Sequence, residues 1–273
     1  MAGAPLTVLS LADRRGILRE VRALSVAVGA EILRLRTGLM TQTSKGGVDM
    51  VTAADVHAET LLTEGLARLF PGHRIAAEEG TRRGPADSPW IWHVDPLDGT
   101  ANFSRGLPYW MHSVGLSYSD TPVLGVLHGP ECGLTVWGGD QVGGFYSTES
   151  GEEPLPLATP PGDPKTWIVA TDWPWDLDER QRTNRLIDHL SRRVRQYKSL
   201  GSAAVDLSHV ALGRVDGYCI SKIFPWDQAA GAAVCAALGY ELRRWDGSPW
   251  DLRHQDIAVC RPGMWAELAP GLG

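Results

Sequence analysis

An apolar run, Trp90-Ile91-Trp92-His93-Val94, passes directly into Asp95-Pro96-Leu97-Asp98-Gly99-Thr100-Ala101-Asn102-Phe103. The run reads as a buried strand. Pro96 removes a backbone donor and Gly99 permits a positive φ, so the strand is expected to stop in a sharp turn. Such a turn throws the Asp95 and Asp98 carboxylates, the Leu97 carbonyl and the Thr100 hydroxyl toward one point. Hard oxygen donors converging at a strand end suit Mg²⁺, which takes carboxylates, carbonyls and water in near-octahedral geometry. Aspartates also decorate turns with no metal involved. Taken alone, Asp-Pro-Leu-Asp leaves both readings open.

The rest of the chain narrows the setting. Its 273 residues allow one large core or two smaller ones in contact. A hydrophobic share of 43% and a charged share of 21% belong to an ordinary globular protein. A net charge of -6 argues against a nucleic-acid or anionic-membrane partner, yet leaves room for an anionic substrate if metal ions reverse the local field. Cys132, Cys219, Cys235 and Cys260 show no C-x-x-C pairing, and three of them sit in apolar runs. They read as reduced core residues of a cytoplasmic protein. No basic and apolar leader opens the sequence, and the apolar run Ala229 to Leu238 is too short to cross a bilayer.

Along the chain, Ser10 is placed to cap a helix to about Leu35, with Ile17, Val21, Leu24, Val28 and Ile32 at helical spacing. Thr37 to Val48, with Lys45-Gly46-Gly47, reads as a loop. A second helix is expected from Ala53 to Phe70, with Leu62, Leu66, Leu69 and Phe70 buried, ended by Pro71-Gly72. His73 to Ala77 is a short strand delivering Glu78 and Glu79. Met111–Tyr118, Val123–Leu127, Leu134–Gly138 and Gly143–Tyr146 read as an antiparallel meander with both helices on one side. Residues 1–150 thus form an α+β half, 151–164 a Gly- and Pro-rich surface connection, and 165–273 a second half. That second half alternates strand and helix: Trp167–Thr171, Leu177–Arg192, Val194–Leu200, Gly201–Leu212, Val215–Ser221 and Trp226–Leu238.

The Asp95 to Phe103 string resembles that of the inositol monophosphatase family, Mg²⁺-dependent and often lithium-sensitive phosphatases. Asp49-Met50-Val51-Thr52-Ala53-Ala54-Asp55, Glu78-Glu79-Gly80 and Trp226-Asp227-Gln228-Ala229-Ala230-Gly231 match further motifs in the family's order. The resemblance implies an α+β fold, a layered αβαβα sandwich shared with fructose-1,6-bisphosphatase, and hydrolysis of a small metabolite's phosphate monoester by metal-activated water, with no phosphoenzyme. It makes Glu78, Asp95 and the Leu97 carbonyl ligands of one Mg²⁺ and Asp95, Asp98 and Asp227 ligands of a second, with a third, weaker ion near Glu78. Asp55 and Thr100 align the attacking water, and Thr37 to Val48 becomes a flap. Glu79 either orients its loop or contacts metal-bound water. Backbone amides at Gly99-Thr100 and Gly201-Ser202 are candidates to hold phosphate oxygens, Ala203 matches a small residue at the substrate edge, and a homodimer is expected.

One position departs from that pattern. Inositol-specific members carry a glutamate seven residues before the last aspartate, and Ile220 stands there. Loss of that acceptor disfavours a plain inositol monophosphate. Lys222 is either a solvated lysine or a partner for a second anionic group, and Trp110, Trp173 or Trp175 is placed to stack on a ring. Fructose 1,6-bisphosphate, 3′-phosphoadenosine 5′-phosphate and histidinol phosphate are the alternatives within the class. The rival outside it, a non-catalytic regulator, would not need Glu78, Asp95, Asp98, Asp227 and Thr100 together.

Overall fold

The computed structural model describes residues 9–39, 42–46 and 49–272, and side chains throughout these except 37–39, 42–46 and 49–51. In chain order the elements are α1 (Leu11–Leu39), β1 (Gln42–Gly46), β2 (Asp49–Thr52), α2 (Ala53–Leu69), β3 (Arg74–Ala77), β4 (Arg82–Arg83), β5 (Trp90–Asp98), α3 (Thr100–Arg105), β6 (Met111–Tyr118), β7 (Thr121–Gly129), β8 (Leu134–Gly139), β9 (Gly143–Thr148) and β10 (Gly151–Pro154). The second half adds β11 (Ile168–Ala170), α4 (Leu177–Ser191), β12 (Gln196–Lys198), α5 (Ala203–Ala211), β13 (Gly217–Ser221), α6 (Pro225–Ala237), β14 (Glu241–Arg243), β15 (Asp256–Cys260) and α7 (Trp265–Leu272).

Eight strands form one sheet in the order β10-β9-β8-β7-β6-β5-β3-β4, antiparallel except where β3 meets β5. Five form another, β12-β11-β13-β15-β14, parallel from β12 to β13 and antiparallel beyond. Helices α1 and α2 cover the outer face of the large sheet, α5 and α6 fill the space between the sheets, and α4 and α7 cover the small one. This is the expected αβαβα sandwich. Each layer has its own apolar reason: Ile17, Val21, Val28 and Ile32 of α1 are buried on the large sheet, and Leu186 and Leu190 of α4 on the small one.

The middle layer fits because the sequence removes side chains where α6 meets the large sheet. A Cβ on Gly115 would lie 2.6 Å from Ala230 N, and one on Gly125 would lie 2.1 Å from Ala230 O. Helix and sheet backbones meet there with nothing larger than alanine between them.

Several expectations need correcting. The strand does not stop at Val94 but runs to Asp98 through an irregularity. Helix α1 continues to Leu39, and Gln42–Gly46 pairs with Asp49–Thr52 as an antiparallel ladder, so much of the expected loop is a hairpin; Gly47 lies outside the described residues. Leu69, expected in the buried stripe, is 41% exposed at the last residue of α2. Gly151–Pro154 extends the large sheet instead of linking two halves. Past Leu238, where the sequence reading was silent, β14, β15 and α7 complete the small sheet and its cover. Cys219, Cys235 and Cys260 are buried, Cys132 is exposed, and all four are free thiols. Among the described residues no helix is long and apolar enough to cross a membrane.

Candidate active site

The site grows from the end of β5. Asp95 pairs with Ser113 and Asp98 with Met111, so three steps on β5 match two on β6: one residue bulges out. Pro96 cannot donate to the ladder, and the Leu97 N–H, freed from it, donates to Asp95 Oδ1 at 2.8 Å. His112, wholly buried on β6, binds the Pro96 carbonyl through Nδ1 and holds the bulge from behind. Burial pushes that imidazole down to about 4, so it stays neutral there. Its part was invisible from sequence, because nothing in the string ties position 112 to position 96.

Each aspartate spends one oxygen on a backbone amide. Asp98 Oδ2 accepts from Ala204 N at 2.5 Å and from Ser202 Oγ at 3.0 Å, which pins the start of α5 to the end of β5. Asp227, in the first turn of α6, accepts from Phe224 N at 2.9 Å. Ser113 Oγ donates to Trp226 O at 2.8 Å, tying that turn to β6. Glu78 follows β3, its N–H bound to Val94 O at 3.0 Å. The turn beyond it hangs on Glu59 of α2, whose carboxylate accepts Glu79 N at 2.6 Å and Thr81 N at 3.0 Å. Sequence reading missed Glu59, although it sits one helical turn after Asp55, in phase with the buried Leu62 and Leu66.

Asp55 is fully buried at the start of α2, where its Oδ2 accepts the Thr52 amide at 2.8 Å and the Thr52 hydroxyl. Its Oδ1 accepts the Thr100 hydroxyl at 2.7 Å. The expected Asp55–Thr100 partnership is therefore a direct hydrogen bond across 45 residues of chain. Burial raises the Asp55 carboxyl, and hydrogen bonds from Thr52 and Thr100 pull it back.

Glu78, Asp95, Leu97, Asp98, Gly99, Thr100 and Asp227 all line one cavity of about 480 Å³, together with Ser202, Ala203, Ile220 and Lys222. Burial, then the charges of Glu78, Asp98 and Asp227, drive the Asp95 carboxyl well above the usual carboxylate range. Burial first and then Asp98 and Glu78 do the same to Asp227. Asp98 is raised to about 7, mainly by burial, against the bonds from Ala204 and Ser202. Such a set is costly without positive charge, and its donors are all oxygen, which fits a hard divalent cation. Among the described residues, no three acidic, histidine or cysteine side chains stand close enough to be a finished cage. The fit is therefore one of charge and donor type. A larger, open depression between α4 and α7 contains a single carboxylate, Asp188, and lacks this convergence.

One of the expected phosphate contacts, the Gly201 amide, has another partner, and the Ser202 hydroxyl is engaged beside it. The Gly201 N–H donates to Asp172 at 3.0 Å, and Ser202 Oγ is held by Asp98 and caps Val205 N at 3.2 Å. Trp110 is wholly buried, edge-on to Phe103, and does not line the cavity. Trp173 and Trp175 do line it and are 58% and 55% exposed. Lys222 lines it too, with a left-handed φ of 56°, uncommon for a residue with a side chain.

Fold and site together define a metal-dependent phosphatase. The profile described as the inositol monophosphatase family matches residues 16–271, and the chain belongs to that family of Mg²⁺-dependent phosphoric monoester hydrolases. A relative named inositol-1-monophosphatase from Synechocystis is 34% identical, covering 100% of this chain and 94% of its own. The chloroplastic phosphatase IMPL1 of Arabidopsis thaliana is 30% identical over 93% of this chain and 70% of its own. Among solved structures, an inositol monophosphatase from Anabaena superposes with a TM-score of 0.80 at 28% identity, covering 94% of this chain and 95% of that one. The extragenic suppressor protein suhB of Bartonella henselae shares the fold with a TM-score of 0.86 at 24% identity, over 94% and 98%.

Proposed function

We propose that the chain hydrolyses the phosphate monoester of a small polar alcohol, with Glu78, Asp95 and the Leu97 carbonyl holding one Mg²⁺ and Asp95, Asp98 and Asp227 a second; a third, weaker ion belongs near Glu78. The metals supply charge stabilisation of the phosphoryl oxygens and lower the pKa of water. The protein supplies placement. Because the Thr100 hydroxyl donates its hydrogen bond to Asp55, its oxygen lone pairs are left as acceptors able to orient a water. The Gly99 and Thr100 amides are assigned to phosphate oxygens. Gly201 and Ser202 are assigned a supporting role through Asp172 and Asp98.

The observation that carries this reading is the convergence of Glu78, Asp95, Asp98 and Asp227 on one cavity, which Thr100, held from behind by Asp55, also lines. On the substrate side the wall combines Ala203, Ile220, Trp173, Trp175 and Lys222. Ile220 offers no acceptor for a ring hydroxyl, so myo-inositol 1-phosphate is not the preferred substrate even though relatives carry that name. A bisphosphate is the second reading, favoured by the exposed, left-handed Lys222 at the rim; a Thermotoga maritima relative, 30% identical, is named fructose-1,6-bisphosphatase/inositol-1-monophosphatase. A homodimer in the cytoplasm completes the proposal. The test is phosphate release with Mg²⁺ across inositol, sugar, nucleotide and amino-alcohol phosphates. Activity that Asp95→Asn abolishes supports the reading; a preference for myo-inositol 1-phosphate would overturn the substrate assignment.

A further inference from the structure

On the wall of the cavity, just past the end of β11, stands a further acidic group that the proposed reaction does not use. Asp172, 8% exposed, accepts the Ser199 hydroxyl at 2.7 Å and the Gly201 amide at 3.0 Å on Oδ1, and the Tyr218 hydroxyl at 3.3 Å on Oδ2. Three donors on one carboxylate leave it one acceptor position to offer a neighbour. Behind it, Asp206 on α5 is fully buried, and neither of its oxygens has a hydrogen-bond partner.

A buried carboxylate with so little donor support is costly. The groups acting on Asp206 are, after burial itself, Asp172, then Asp98, with the Leu200 backbone opposing them. From the neighbouring elements come Asp172 after β11, Tyr218 on β13, Asp98 at the end of β5 and the Leu200 backbone after β12, none of them a cation. Two carboxyl groups facing each other without a cation resolve the conflict by keeping one proton between them.

We propose that Asp206 is protonated and donates its hydrogen bond to the Asp172 carboxylate, the pair acting as one shared-proton clamp on the Ser199–Ser202 turn. Four donors then fill the four acceptor positions of Asp172. The turn so held presents Ser202 Oγ and Ala204 N to Asp98. Asp206 is thus a positioning residue for Asp98, acting at a distance through Asp172, Gly201 and Ser202. Its kinetic consequence rests on the phosphatase reading; its protonation does not.

The test uses the full chain in two arms. In the first, an infrared difference spectrum at neutral pH compares wild type with Asp206→Asn. An un-ionised carboxyl absorption present in wild type and lost in the variant is expected; its absence overturns the shared proton. In the second, Asp206→Asn, whose amide still donates to Asp172, is expected to keep kcat and KM within about threefold of wild type, and Asp206→Leu to lower kcat about tenfold with a smaller change in KM. A rise in melting temperature on Asp206→Asn would mean that an ionised, repelling carboxylate had been removed, and would overturn the proposal. So would Asp206→Leu that melts cooperatively yet keeps wild-type kcat. If wild type hydrolyses no phosphate ester, the functional reading fails and the infrared arm still decides the proton.

Discussion

Gly125→Ala adds one methyl group at a position remote in sequence from every proposed ligand, and is expected to disable the enzyme through the backbone. The new Cβ would stand 2.1 Å from Ala230 O and 2.7 Å from Ala230 C, where ordinary contact begins at 3.4 Å. The obstacle is main chain, so no rotamer change relieves it. Either β7 or α6 must withdraw by about 1 Å, and overpacking of this kind costs about 1–3 kcal/mol. Helix α6 carries Asp227 three residues before Ala230, and Asp95 and Asp98 stand on the sheet. A 1 Å displacement between groups that must act together costs on the order of 10²-fold in rate. The assay is kcat/KM for the best phosphate ester, with the melting temperature measured alongside. Gly16→Ala is the control: its Cβ meets nothing within 4 Å on a helix, so it should leave activity unchanged and stabilise by about 0.5–1 kcal/mol. Wild-type kcat/KM in Gly125→Ala would refute the reasoning, and a lowered melting temperature with full activity would show that the shift is absorbed away from Asp227.

Asp95→Asn should cut Mg²⁺-dependent phosphate release at least about 10²-fold while raising the melting temperature in EDTA, because it removes one of the mutually repelling carboxylates; a lower melting temperature in EDTA would contradict the electrostatic account. Thr100→Val should lower kcat about tenfold or more with little change in KM, since it removes the oriented acceptor and leaves the metal ligands; unchanged kcat would dismiss the Asp55–Thr100 pair. Burial holds His128 down to about 3, well below its ordinary value near 6.5. The unfolded chain therefore binds the extra proton between those values, so this contribution to stability is full above about 6.5 and lost as pH falls. His128→Gln should flatten denaturation midpoints over that window, by about 1.4 kcal/mol per pH unit, and parallel pH curves for variant and wild type would refute it.

What could be read from the sequence was what local pattern and a rare string encode. The α1 and α4 stripes, the large-sheet meander and the Asp55–Thr100 pair needed only periodicity or the resemblance. The end of β5 was misread because Pro96 and Gly99 argue for a stop, while the bulge depends on His112 and Ser113 across the ladder. Gly201 looked like an anion cradle because its partner, Asp172, arrives from 29 residues away. Trp110 and Trp173 are alike in sequence; only the packing of Phe103 tells the core ring from the rim ring. Asp206 gave no signal at all, since an aspartate on a short helix is ordinarily solvated.

The bulge in β5 acts as a parity device. Along a regular strand, residues three apart point to opposite faces, so Asp95 and Asp98 would be divided between the helix layers. One surplus residue restores them to the same side, where both line the cavity. The spacing between the two aspartates is therefore fixed as an even number of ladder steps plus one bulged residue. Point substitutions at Leu97 change packing, whereas deleting Pro96 or Leu97 would regularise the ladder, leaving both aspartates on one face but removing the turn in which the Leu97 N–H meets Asp95 and its carbonyl is freed from the strand. This segment is expected to tolerate changes of residue far better than changes of length, the reverse of an ordinary strand end.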